Sequence, residues 1–225
     1  MSGHPLDRPV WSAFTGRQAA LAIADGPAVR VRPDIGIFAA AAAYDAAGLA
    51  ALARLAEGAP FAVVEAEAPP APPGYRMLGS KACLQMVLER PIERHPDVAF
   101  VDLGPCDADE MLALAILTEP GPFKSNTHEL GGFIGLRSGG KLVAMAGQRL
   151  QPDGHVEVSG VCTHPDHRGR GHAAALMTIV AARVQARGDI PILHTYADNG
   201  SAILLYEKLG FRTARSLTLS TFAPI

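Results

Sequence analysis

Apolar positions repeat weakly in the first half of the chain and sharply in the second. From Asp45 to Glu57, residues Leu49, Leu52, Ala53 and Ala56 share one stripe of a helix that Gly58 stops. Phe61 to Glu65 reads as a short strand and Lys81 to Glu89 as another. Between them, Pro69-Pro70-Ala71-Pro72-Pro73-Gly74 is a stiff connector, because proline lacks the N–H that a helix interior or central strand needs. Pro91 to Pro96 closes this half.

From Val98 the pattern predicts a strand to Leu103, then a helix opened by an Asp107/Glu110 capping box and ended by Pro120. Phe133–Leu136 and Lys141–Leu150 flank Gly139-Gly140 as a hairpin, and Pro152-Asp153-Gly154 turns into a strand from His155 to Thr163. After a loop from His164 to His172, a helix carries Ala173, Leu176, Met177, Val180, Ala181 and Val184 on one face and stops at Gly188. Strand Ile192–Tyr196, helix Ser201–Leu209 and strand Phe211–Phe222 complete the order. Strands alternating with helices this way form a mixed α/β sheet with helices on its faces.

Composition narrows the function classes. The 225 residues are 48% hydrophobic and 19% charged with a net charge of -2, an ordinary globular balance that disfavours a nucleic-acid binder. Three scattered cysteines, Cys83, Cys106 and Cys162, make neither a disulfide framework nor a zinc knuckle. The most apolar early run, Ile35 to Tyr44, is far short of the about 20 residues that span a bilayer, and no secretory signal opens the chain. A cytoplasmic protein without membrane or nucleic-acid partners is the expectation.

The segment His164–Ala174, HPDHRGRGHAA, lies between a strand and an apolar-faced helix. Gly169 and Gly171 permit a tight bend with N–H groups turned inward, the helix start adds unpaired N–H groups, and Arg168 and Arg170 add charge. This is a cradle for phosphate or diphosphate; a solvated basic loop is the plainer reading. Gly169, Gly171 and Ala174 also fit the dinucleotide fingerprint, but Asp189 precedes the next strand instead of ending it, and too little chain remains for that fold. Gly139-Gly140-Lys141 lacks the Ser or Thr and the helix of a nucleotide triphosphatase loop.

Arg168-x-x-Gly171-x-Ala173 resembles the (Gln/Arg)-x-x-Gly-x-(Gly/Ala) turn of the GNAT N-acetyltransferase superfamily. Asn199-Gly200-Ser201-Ala202 followed by Tyr206-Glu207-Lys208-Leu209-Gly210-Phe211 resembles its closing signature, and the wording GVCTHPDHRGRG is most similar to the glycine-N-acyltransferase-like branch. The resemblance covers Val98 to the C-terminus. It implies a GNAT-type α/β fold, a mixed and mostly antiparallel twisted sheet with helices on both faces. On this division residues 96–225 are the acetyltransferase domain, and residues 1–95 a smaller α/β region, for which a degenerate copy of the same fold is one reading. It also implies acetyl-CoA as donor. Main chain at Val161, Cys162 and Thr163 would pair with the pantetheine arm, Arg168, Gly169, Arg170, Gly171, His172 and Ala173 would hold the pyrophosphate, and Asn199 and Tyr206 would flank the arm.

Acetyl transfer to an amine needs a proton acceptor, an oxyanion donor and an acid for the sulfur. Glu157 is the candidate base: strand alternation puts it with Ser159 on one face, and its spacing from Arg168 matches the catalytic glutamate of histone acetyltransferases in the superfamily. Partial burial would raise its pKa toward neutrality. An exposed strand acid is the plainer reading. Tyr206 is the candidate acid, because its phenol is protonated at neutral pH. A backbone N–H near Val161 is the candidate oxyanion donor. Cys162 with His164 could carry the acyl group, although packing explains a strand cysteine as well. His164, His167 and His172 lie among arginines and make no metal site. His194 and Tyr196 could touch the acceptor or simply fill the sheet. The expected reaction is direct acetylation of a primary amine of a small molecule or peptide in a ternary complex, with a homodimer left open. The competing class is a non-catalytic acyl-CoA-binding or sensing module.

Overall fold

The computed structural model describes residues 4–93 and 96–225. In chain order the elements are α1 (Pro9–Thr15), β1 (Ala22–Asp25), β2 (Ala28–Val31), β3 (Ala39–Ala41), α2 (Ala46–Ala56), β4 (Phe61–Glu65) and β5 (Tyr75–Val87). There follow β6 (Val101–Leu103), α3 (Ala108–Thr118), β7 (Phe133–Ser138), β8 (Lys141–Gln148), β9 (His155–Thr163), α4 (His172–Gln185), β10 (Ile190–Tyr196), α5 (Gly200–Lys208) and β11 (Arg212–Pro224).

Eight strands form one sheet in the order β4-β11-β5-β10-β9-β8-β7-β6, and β1-β2-β3 form a small second sheet joined to it by a Phe38–Ala62 bridge. Every pairing in the large sheet is antiparallel except β9 with β10. This is the mixed, mostly antiparallel GNAT-type sheet with helices on both faces. The boundary expected at residue 95 lies outside the described residues. Strands β4 and β5 nevertheless pair with β10 and β11, so one sheet contains chain from both halves.

Local chemistry explains several element ends. The Asp45 carboxylate caps α2 by accepting from the Gly48 N–H at 2.9 Å. The hairpin between β7 and β8 turns through Gly139 and Gly140, both at positive φ. The expected capping box of α3 is not formed. Asp107 accepts instead from the Gly104 N–H at 2.9 Å, closing the turn before the helix, while Glu110 pairs with Arg137 at 2.7 Å. Strand β6 begins at Val101 and not at Val98, and β5 begins at Tyr75, well before Lys81.

Alternation along the strands divides the core. Met86, Ala144, Val158 and Leu193 pack with Leu176, Met177 and Val180 of α4. On the other face Met145 and Cys162 pack with Met111 and Leu114 of α3, and Leu217 packs with Val10 and Phe14 of α1. Burying a side chain such as Leu176 contributes about 1.5–3 kcal/mol, and Leu176→Ala would lose about 2–5 kcal/mol once the cavity is included. Among the described residues, no helix is long and apolar enough to cross a membrane.

The feature that makes the site is a splay. β9 and β10 pair only where His155–Glu157 face Ile190–Ile192. Further along, a register shift against β8 marks a bulge in β9. Gly160 sits there at φ +62, and a Cβ on it would meet the Phe133 ring at 2.8 Å, so backbone conformation and close packing both require glycine. The bulge bends β9, and a wedge opens between the two parallel strands.

Candidate active site

A cleft of about 780 Å³ runs from this wedge to the start of α4. At its far end the chain turns through Gly169 at φ +74 and Gly171 at φ +77, both in the left-handed region that glycine tolerates. Gly171 is the N-cap of α4 and offers no side chain to its first turn. The N–H groups of residues 169–174 find no acceptor among the described residues; the first paired amide is that of Ala175, which donates to the Gly171 carbonyl at 3.0 Å. Six unsatisfied donors at the positive end of a 14-residue helix make an anion site.

The cleft brings together nearly all of the ligand set read from the sequence: Val161 to Thr163 on the β9 wall, Arg168, Gly169 and Gly171 to Ala173 at the turn, and Asn199 and Tyr206 opposite. Arg170 is not on it; its exposed guanidinium donates to the Asp166 carbonyl at 3.2 Å. Thr163 keeps a buried hydroxyl with no partner among the described residues. Free amides at one end, an orphaned hydroxyl on the wall and an unpaired strand edge leading inward fit a ligand with a diphosphate and an amide-bearing arm. Asn199 also caps α5, its carbonyl accepting from the Ala202 N–H at 3.4 Å.

Glu157 differs from its expectation. It is fully buried and absent from the cleft wall. One carboxylate oxygen accepts from Arg149 at 2.6 Å and from His194 Nδ1 at 2.7 Å; the other accepts from Arg149 Nε at 2.9 Å and the Leu150 N–H at 3.2 Å. Burial alone would raise its pKa, but the Arg149 and His194 charges and hydrogen bonds outweigh burial and hold it well below the usual carboxylate range. The rise toward neutrality expected from partial burial is therefore replaced by a fall, because burial is complete and comes with a cation. Arg149 and His194 do line the cleft. Sequence reading left His194 open and missed Arg149. The available signal was position: Arg149 directly follows β8, the strand paired with β9, which sets it opposite Glu157.

Tyr206 is half-buried on the cleft wall, its ring edge-on to Phe211 at 6.4 Å, and burial pushes its phenol above the ordinary value. Burial likewise pushes the Cys162 thiol up to about 11, so it stays protonated at neutral pH and packs against α3. Among the described residues, no group of three or more His, Cys, Asp or Glu side chains could hold a metal ion.

A wedge between parallel strands that ends in an anion-binding helix start defines the acyl-CoA N-acetyltransferase class of α/β fold. Comparison with known proteins narrows this class. The family model FR47-like protein matches residues 133–219. The crystal structure of a GNAT-family protein from Novosphingobium aromaticivorans is 45% identical, with a TM-score of 0.93 over 99% of this chain and 100% of that one. A GCN5-related N-acetyltransferase from Kribbella flavida shares the fold at 20% identity, with a TM-score of 0.64 over 97% of this chain and 95% of that one. N-alpha-acetyltransferase RimI of Mycobacterium tuberculosis is 36% identical over 83 residues, which are 36% of this chain and 51% of that protein. The match thus spans about half the length of that curated relative. The chain belongs to the GNAT family of acetyltransferases.

Proposed function

We propose that this protein moves an acetyl group from acetyl-CoA to a primary amine of a small molecule or peptide by direct attack in a ternary complex. The observation that carries the reading is the line of free amides at residues 169–174 leading into the splay between β9 and β10. Family membership supports it, and the curated relative is by name an N-alpha-acetyltransferase.

When bound, acetyl-CoA supplies the acetyl group as an activated thioester. The amides of residues 169–174 bind the diphosphate, and main chain at Val161 to Thr163 holds the arm as an added strand would be held. The N–H of Val161 is the candidate donor to the developing oxyanion. Tyr206 gives its proton to the departing sulfur. Both Glu157 oxygens are already taken, so the amine loses its proton to water in the cleft, and Glu157 serves by fixing Arg149 and His194.

The withdrawn Glu157 also favours a second reading, a non-catalytic acyl-CoA-binding or sensing module. Thiol release from acetyl-CoA across a panel of primary amines, run beside a thermal shift with CoA, separates the two. Turnover with at least one amine is expected. Stabilisation by CoA without thiol release on any amine selects the sensor, and no stabilisation at all rejects both.

A further inference from the structure

Arg149 is held in place more firmly than a solvated arginine needs. Its main chain pairs with Glu157, donating to the Glu157 carbonyl at 3.0 Å. Its Nε and one terminal nitrogen grip the Glu157 carboxylate at 2.9 and 2.6 Å, and its guanidinium lies over the Phe38 ring at 5.0 Å. A guanidinium has two forked edges, and Glu157 fills only the one along its side. The end edge, formed by both terminal nitrogens, finds no acceptor among the described residues, although Arg149 lines the cleft.

We propose that this end edge is the acceptor subsite, and that the amine substrate carries a forked anionic group, a carboxylate or phosphonate, that Arg149 binds with two parallel hydrogen bonds. The proposal rests on the acetyl-transfer reading and adds the acceptor class to it. Two donors in one plane match two oxygens of an oxyacid, whereas a single carbonyl would leave one donor unmet. Because Glu157 and Phe38 already immobilise the side chain, an incoming anion loses little affinity to ordering it. The remaining charged groups do not oppose this. Glu157 is matched by Arg149 itself and bound by His194, and Glu119, the one carboxylate on the cleft wall among the described residues, is exposed, so water screens it. An amine without an anionic group would leave the guanidinium edge to water.

The test compares matched amines on the full-length protein: phenylalanine with phenethylamine, alanine with ethylamine, and 1-aminoethylphosphonate with ethylamine. Charged hydrogen bonds of this kind are each worth about tenfold or more, so kcat/KM should favour the anion-bearing member by at least about tenfold. Arg149→Lys, which keeps a cation beside Glu157 but loses the fork, should shrink that ratio to below about threefold. Either anion passing supports the subsite, and the pairs show whether carboxylate or phosphonate is preferred. Equal kcat/KM within every pair overturns it. So does an Arg149→Lys variant whose kcat falls by one common factor on all acceptors, which would put Arg149 in the transfer step. A second readout needs neither turnover nor a variant: calorimetry of the CoA-saturated protein with N-acetylphenylalanine and with N-phenethylacetamide. Tighter binding of the acid supports the subsite even if no amine is acetylated and the transferase reading falls; equal binding, or none, overturns it.

Discussion

Replacing Glu157 by glutamine tests whether this carboxylate anchors a cation or waits as a free base. Glu157→Gln keeps the shape but leaves the Arg149 charge inside the protein without its counter-charge. Removing one partner of a buried ion pair costs about 3–5 kcal/mol, and the retained amide hydrogen bonds place this case near 3 kcal/mol. For a chain of this size about 1 kcal/mol moves Tm by about 2–4 °C, so Tm should fall by about 6–12 °C at pH 7. The pH dependence follows from the direction of the shift. A carboxyl whose folded pKa is depressed contributes stability fully present above its unfolded value, about 4.3, and lost as pH falls through the lower folded value. The Tm gap between wild type and Glu157→Gln should therefore be constant from pH 8 to about 5.5 and narrow in acid. Scanning calorimetry of both proteins from pH 3 to 8 measures it. A gap under about 2 °C at pH 7, or a gap that already narrows between pH 7 and 5.5, would refute the anchored carboxylate and restore a free base. The double variant Arg149→Met/Glu157→Gln should be less destabilised than Glu157→Gln alone, because no charge is then stranded.

Other outcomes are equally direct. Gly171→Asp should weaken CoA binding by at least about 100-fold in calorimetry, since it strains a left-handed residue and sets a carboxylate against free amides, while Arg170→Ala should change it by less than about fivefold. For Tyr206→Phe we expect kcat to drop by about 100-fold with CoA affinity changed less than about threefold; unchanged kcat would reduce Tyr206 to packing. At pH 7.5 iodoacetamide should modify the exposed Cys106 and spare the buried Cys83 and Cys162, as peptide mass mapping would show; rapid labelling of Cys162 would revive an acyl-enzyme route. Gly160→Ala, which meets Phe133 in a left-handed position, should lower Tm by several degrees and weaken CoA binding; a neutral result would detach the bulge from the cleft.

Legibility followed the strength of local signals. β4 and β9 match their expected ranges, and α2, α4 and α5 lie within a residue or two of theirs at the start. α1 and the small sheet escaped, because Ala39–Ala41 is buried on every side and shows no alternation. β5 was half missed for the opposite reason: residues 76–82 are exposed, and it is main-chain pairing with β11 that makes them a strand.

The same division runs through the site. Order along the chain determined the glycine turn by itself, since two glycines at fixed spacing before an apolar-faced helix dictate both left-handed bends and unpaired amides wherever that segment lies. It likewise placed Tyr206 on the last helix and Asn199 just before it. Sequence could not say what a charge would meet. Arg149 and Glu157 are eight residues apart, while His194 and Phe38 reach them from β10 and from the segment before β3. A carboxylate's pKa depends on the cations and the water around it, and here that balance was decided by strand pairing across the sheet.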